Sequence, residues 1–142
     1  AYLHDAIKKL RPRAYSKVGW GGYQAMTRIK VGKIWYRTHS FHGTGSGTTE
    51  SSVANGLKKQ AEVAEADIYF RGHHHKQMAF KKGKAVWVDN RTVEYRKMYF
   101  VATGSHLLYE GSYGDAKGLP PTVPGMSKVH LYADKYKVEA VI

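Results

Sequence analysis

Three of the eight histidines stand in a row, His73-His74-His75, after an apolar run and a glycine, and another, His42, opens a glycine-rich stretch. With no cysteine in the chain, disulfides and thiolate metal sites are impossible. Any metal must therefore be held by imidazole, carboxylate or backbone oxygen, and the histidines are the first candidates. In an extended stretch His73 and His75 project to one side and His74 to the other, so two imidazoles can face one site. Gly72 ahead of them lets the backbone turn sharply. The segment Phe41-His42-Gly43-Thr44-Gly45-Ser46-Gly47 has a similar shape, presenting a histidine where a strand ends and a flexible loop begins. Glycines leading into a helix N-terminus can also cradle a phosphate, but no Lys-Ser/Thr follows, so this is not a P-loop. Against the metal reading stand a solvated histidine turn and a helix entry whose histidine is incidental.

The elements that must hold these residues are legible in the hydrophobic pattern. Leu3, Ile7 and Leu10 lie at helical spacing before Arg11-Pro12 ends the pattern, and Gly19-Trp20-Gly21-Gly22 punctuates the chain. Tyr23 to Val31 alternates as a half-buried strand, Gly32-Lys33 turns, and Lys33 to Phe41 returns, which predicts a hairpin over 23–41. After the loop, Ser51 and Ser52 are the expected caps of a helix with an apolar face of Val53, Leu57, Ala61 and Ala64. Asp67 to Phe70 is a buried-strand run. Strand, loop, helix and strand form a βαβ unit with an expected right-handed crossover. Ligands of such sheets gather beyond the carboxyl ends of the strands, where both histidine clusters fall. Strands are expected at 77–80, 85–89, 92–103 and 129–142, with a long surface loop over 111–125. The fold class is α/β, strand-rich, in a single domain over residues 1–142.

The run His39-Ser-Phe-His-Gly-Thr-Gly45, a helix, then Ala66-Asp-Ile-Tyr-Phe-Arg-Gly-His-His-His75 resembles the last two ligand motifs of the calcineurin-like metallophosphoesterases. That family ends one strand in His-Gly and a later one in Gly-His-Thr-His. The likeness continues through Thr103-Gly-Ser105 and Gly118-Leu-Pro-Pro-Thr122, as in phage and bacterial members. It implies a β-sandwich flanked by helices and two divalent metal ions, whether Mn, Zn, Fe or Mg. It further implies that His42 and His73 bind one ion and His75 the other, with His74 in the place of the usual threonine; His39 is the second choice for the upstream ligand. The family's upstream Asp-x-His, Gly-Asp-x-x-Asp and Gly-Asn-His motifs are missing from this chain. It is therefore expected to be the carboxyl-terminal half of a phosphoesterase domain, inactive alone and completed by an N-terminal half or a partner chain. Metal-assisted phosphoester hydrolysis is the implied activity, with Arg71, Tyr113 and the 43–48 loop as candidate phosphate contacts.

Charge supports a second class of function. Lys plus Arg number 23 against 11 Asp plus Glu, a formal +12 with hydrophobic residues at 42% and aromatics at 13%. That composition is a folded basic domain and not a disordered polycation. No apolar run approaches a membrane span and no signal peptide opens the chain, so a cytoplasmic protein with no membrane partner is expected, phage-encoded if the likeness extends to origin. Lysines and arginines spread along the chain, with Tyr95 and Tyr99 among them, attract phosphate without regard to sequence. The alternative reading is a non-catalytic nucleic-acid-binding or assembly protein that keeps the phosphoesterase-like fold. A phosphoesterase acting on nucleic acid satisfies both.

Overall fold

The computed structural model describes residues 23–45, 47 and 49–142. The expected helix over 1–10 and the glycine turn at 19–22 lie outside the described residues. A hairpin of β1 (Gln24–Val31) and β2 (Ile34–Phe41) is followed by α1 (Glu50–Val63), β3 (Ile68–Arg71), β4 (Gln77–Trp87) and β5 (Val93–Ser105). Then come the short α2 (Tyr113–Ala116), β6 (Gly125–Met126), β7 (Lys128–Leu131) and β8 (Val138–Val141). The main sheet runs β1-β2-β3-β5-β4 with β6 added to β5, and β7 and β8 form a separate two-stranded sheet. The chain is α/β and strand-rich, as its sequence pattern requires, and no helix among the described residues is long and apolar enough to cross a membrane.

The stretch expected as a loop over 111–125 contains α2, capped by the Ser112 hydroxyl, and three further departures from the expected elements have local causes. The α1 cap is Thr49, whose hydroxyl accepts from the Ser52 amide at 3.2 Å, so the helix starts before the serines. The runs at 77–80 and 85–89 are one strand, because β4 pairs without interruption with β5 from Gln77↔Thr103 to Trp87↔Val93 and carries Gly83 through the ladder. The run over 129–142 is a hairpin, turned at residues 132–137.

Two apolar layers sandwich the parallel strands, as alternation on a sheet buried on both faces demands. Towards α1, Val53 and Leu57 pack on Ala66, Tyr69, Phe100 and Ala102. The Tyr69–Phe100 and Phe80–Phe100 rings stack at 5.0 and 4.9 Å. On the opposite face Tyr36, Ile68 and Val101 pack on Val138 of the β7–β8 hairpin. Burying each such side chain contributes about 1.5–3 kcal/mol. The Tyr36 hydroxyl is the polar anchor of that face: it donates to the Tyr132 carbonyl at 2.7 Å and accepts from the Tyr132 and Lys137 amides at 3.2 and 3.3 Å.

β2, β3 and β5 are mutually parallel with Thr38↔Ile68↔Tyr99 in register. Their carboxyl ends therefore emerge together, with His42 after β2 and Gly72 to His75 after β3. At the other end β3 stops first, so residues 34–37 of β2 and 93–98 of β5 continue with no strand between them.

Candidate functional site

Beyond the carboxyl ends of β2 and β3, the His42 Nε2 and His73 Nδ1 atoms lie 3.4 Å apart, with the rings at 75° to each other. The other nitrogen of His73 donates to the Gly45 carbonyl at 2.9 Å, which leaves the Nδ1 lone pair directed at His42. A hydrogen bond on the far nitrogen is how proteins orient an imidazole as a metal ligand. Two nitrogens held at about 2.0–2.1 Å on one tetrahedral ion are about 3.3–3.4 Å apart, so the separation matches two positions of a single coordination sphere, which the rings would take by turning both lone pairs from each other onto the ion.

His75 is not brought into that pair. The expected extended geometry does not occur: His73 and His75 both have left-handed backbone, at φ 70° and 55°, so the alternation that would align them is lost. His75 is exposed, and no three histidine or carboxylate groups among the described residues are placed to hold one ion. A dinuclear centre also needs a bridging carboxylate, and none of the described residues supplies one here; the residues present fit one ion in part and two ions not at all. His39, the second choice upstream, is buried. Its Nε2 donates to Gln24 Oε1 at 3.1 Å and its Nδ1 accepts from Gln60 Nε2 at 3.2 Å, which commits both nitrogens to structure. Burial lowers its pKa and keeps it neutral.

The glycine loop is held by its carbonyls. Thr44 O accepts from Arg71 Nη2 at 3.1 Å, Gly45 O from His73, and Gly47 O from His74 Nδ1 at 3.0 Å. A phosphate cradle would turn N–H groups inward, whereas here two carbonyls face the histidine turn and a third faces Arg71. His74 does not point away, as strand alternation predicts; it is half-buried against the loop. Burial, then the nearby Arg71 charge, lowers its pKa.

Arg71 is 7% exposed. Its guanidinium donates to the Gly56 and Thr44 carbonyls at 3.3 and 3.1 Å and lies 5.3 Å over the Phe41 ring, while Nε has no partner. Space for it exists because two neighbours lack side chains: a Cβ on Gly43 would stand 3.0 Å from Nε, and one on Gly56 2.8 Å. Burial pushes its pKa down from the arginine range. The group named from sequence as a phosphate contact is here an internal clamp between β3, α1 and the loop. The signal for that role was Gly56, a glycine inside a helix, where its backbone entropy is otherwise a cost. Tyr113 sits on α2 with its ring 71% exposed and Lys117 Nζ 5.7 Å from its centroid. No hydrogen bond among the described residues ties Tyr113 to the histidines.

No family model matches the chain, and no curated protein matches it. Among solved structures it is similar to Vps29 from Entamoeba histolytica, crystallised as a complex with Zn²⁺, at 19% identity and a TM-score of 0.36. The match covers 82% of this chain and 59% of the Vps29 chain, so the sequence spans about three-fifths of that structure.

Proposed function

We propose that the His42–His73 corner is part of the metal-binding site of a phosphoester hydrolase of the calcineurin-like type, with the missing carboxylates supplied by residues outside those described. The observation that carries this reading is the 3.4 Å approach of two imidazole nitrogens from adjacent parallel strands, one of them oriented from behind by a carbonyl. In that site His42 and His73 would be ligands to one ion. His75 is exposed on the same turn and takes no part in that site. A bound divalent ion would supply Lewis-acid polarisation of the phosphoryl oxygens. Within this chain, Arg71 and His74 hold the loop that orients His73, and through it fix the distance between the two ligands.

Titration of the chain with Zn²⁺ by calorimetry tests the assignment. We expect one weak site that His42→Ala and His73→Ala each remove and His75→Ala leaves in place; unchanged binding in the first two would refute the ligands. With Mn²⁺ and an aryl phosphodiester, the chain alone should show little turnover. Adding a polypeptide that carries the aspartate motifs should restore it, and robust turnover without that addition would sink the shared-site reading.

A further inference from the structure

At the opposite end of the parallel strands from the histidines, a cleft of about 570 Å³ opens where β3 stops between β2 and β5. Trp35 and Arg37 line one wall, Tyr95 and Lys97 the other, with Asp67 and Tyr136 between. We infer that this cleft and the β4–β5 ribbon beside it bind single-stranded nucleic acid.

Three features of the molecule lead there. The first is an aromatic strip. In the β4–β5 register Gly83 faces Lys97, Ala85 faces Tyr95 and Trp87 faces Val93, so Trp87, Tyr95, Lys97 and Tyr99 share one face running out of the cleft. The residues opposite Tyr95 and Lys97 are an alanine and a glycine, which leaves the Tyr95 ring uncovered: Tyr95 is 86% exposed and Trp87 71%, whereas Trp35, on the other face of the sheet, has Arg28 and Lys30 over its ring at 5.4 and 5.5 Å. Flat, open rings at strand spacing are platforms on which successive bases stack without sequence preference.

The second feature is charge. Residues 23–41, which build one wall, contain Arg28, Lys30, Lys33 and Arg37 and no carboxylate. Residues 77–99 carry six cations against Asp89 and Glu94. Arg37 and Arg96 are occupied by Glu65, Asp67 and Glu94. Lys81 and Lys97, on the face of Tyr95, form no ion pair among the described residues and are left to meet phosphates.

The third is that the ladders on both walls place like charges opposite each other. Arg28 is paired with Arg37 and Lys84 with Arg96. Like charges in directly opposed positions weaken a ladder; the carboxylates on Arg37 and Arg96 offset part of that cost, and a bound polyanion would relieve the rest. An acidic peptide would relieve it too, but would make no use of the open Tyr95 and Trp87 rings. The inference does not rest on metal binding, because cleft and histidines occupy opposite ends of the sheet.

Fluorescence anisotropy of the whole chain with a labelled oligothymidylate of about 20 nucleotides provides the test. We expect binding whose logarithm falls linearly with log salt. Tyr95→Ala and Trp87→Ala should each weaken it about tenfold at unchanged salt slope, and Tyr95→Phe should preserve it. Lys97→Ala should reduce the slope by about 0.7. Both aromatic positions are open to solvent, so the variants should melt close to the parent; Tyr95→Phe separates loss of stacking from loss of fold. Absence of binding at low salt, parental affinity in both alanine variants, or equal competition by polyglutamate would each overturn the proposal.

Discussion

A single buried cation decides how the histidine loop is built. Arg71 has no carboxylate partner among the described residues, yet Gly43 and Gly56 both give up a side chain to admit it. In the parent, Gly56→Ala should destabilise by about 1–3 kcal/mol, because its Cβ would displace a guanidinium that cannot retreat into water. In an Arg71→Ala background the obstacle is gone. The same substitution should then stabilise by about 0.5–1 kcal/mol, the ordinary preference of a helix interior for alanine. Chemical denaturation of the four proteins checks this: additive effects would mean that Arg71 and Gly56 do not share the space. His39 offers a second measurement. Its pKa is lowered by burial, so it is neutral when folded while the unfolded chain takes up a proton near pH 6.5. Its contribution is complete above that pH and is lost progressively as pH falls towards the depressed folded value. Melting temperature should therefore drop on acidification below about pH 6.5, and His39→Gln should flatten the dependence. An equally steep profile in the variant would assign the drop to other groups.

At the level of elements, period and punctuation carried the fold. Alternation at 23–31 and 33–41 and the apolar face of Val53 and Leu57 led to the β1–β2 hairpin and α1 within a residue or two. The βαβ order placed both histidine motifs at adjacent strand ends, where they are found. What local pattern cannot carry is a backbone turn fixed by distant partners. The left-handed conformations of His73 and His75 accompany bonds from the turn to Gly45 and Gly47, some 27 residues away, so the sequence rule of alternating sides failed where the chain had left the strand. In the same way the break in 129–142 reflects one phenol from β2. The turn between β7 and β8 closes around the Tyr36 hydroxyl, and no property of residues 132–137 alone announces it. Tyr36→Phe should leave two amides and a carbonyl without that partner and cost about 1–3 kcal/mol. Amide hydrogen exchange should then accelerate first at Tyr132 and Lys137, while uniform acceleration across the sheet would mean that the hydroxyl does not hold the hairpin locally.

Across the whole molecule, a rigid parallel core separates two ends of different chemistry, imidazoles beyond its carboxyl edge and cations with open aromatics beyond its amino edge. A formal charge of +12 works against compactness, since same-sign groups repel and salt relieves them. The ion pairs among the described residues each include a partner at least about a third exposed, so they return little of that cost. If the cations on the ribbons are kept for a polyanion, removing one should improve the fold and harm the binding. Lys84 is the place to ask, being exposed and directly opposite Arg96. Lys84→Glu turns a repulsive cross-strand pair into an attractive one, a gain of about 0.5–1 kcal/mol at low salt. The gain should fade as sodium chloride rises from about 10 mM to about 300 mM and the Debye length contracts. In the same protein, affinity for oligothymidylate should fall and its salt dependence should become shallower. Thermal melts across that range, read beside the anisotropy titrations, separate the two effects. A variant that melts lower than the parent at low salt would show that Lys84 serves the fold, and that the surplus of positive charge needs no ligand to account for it.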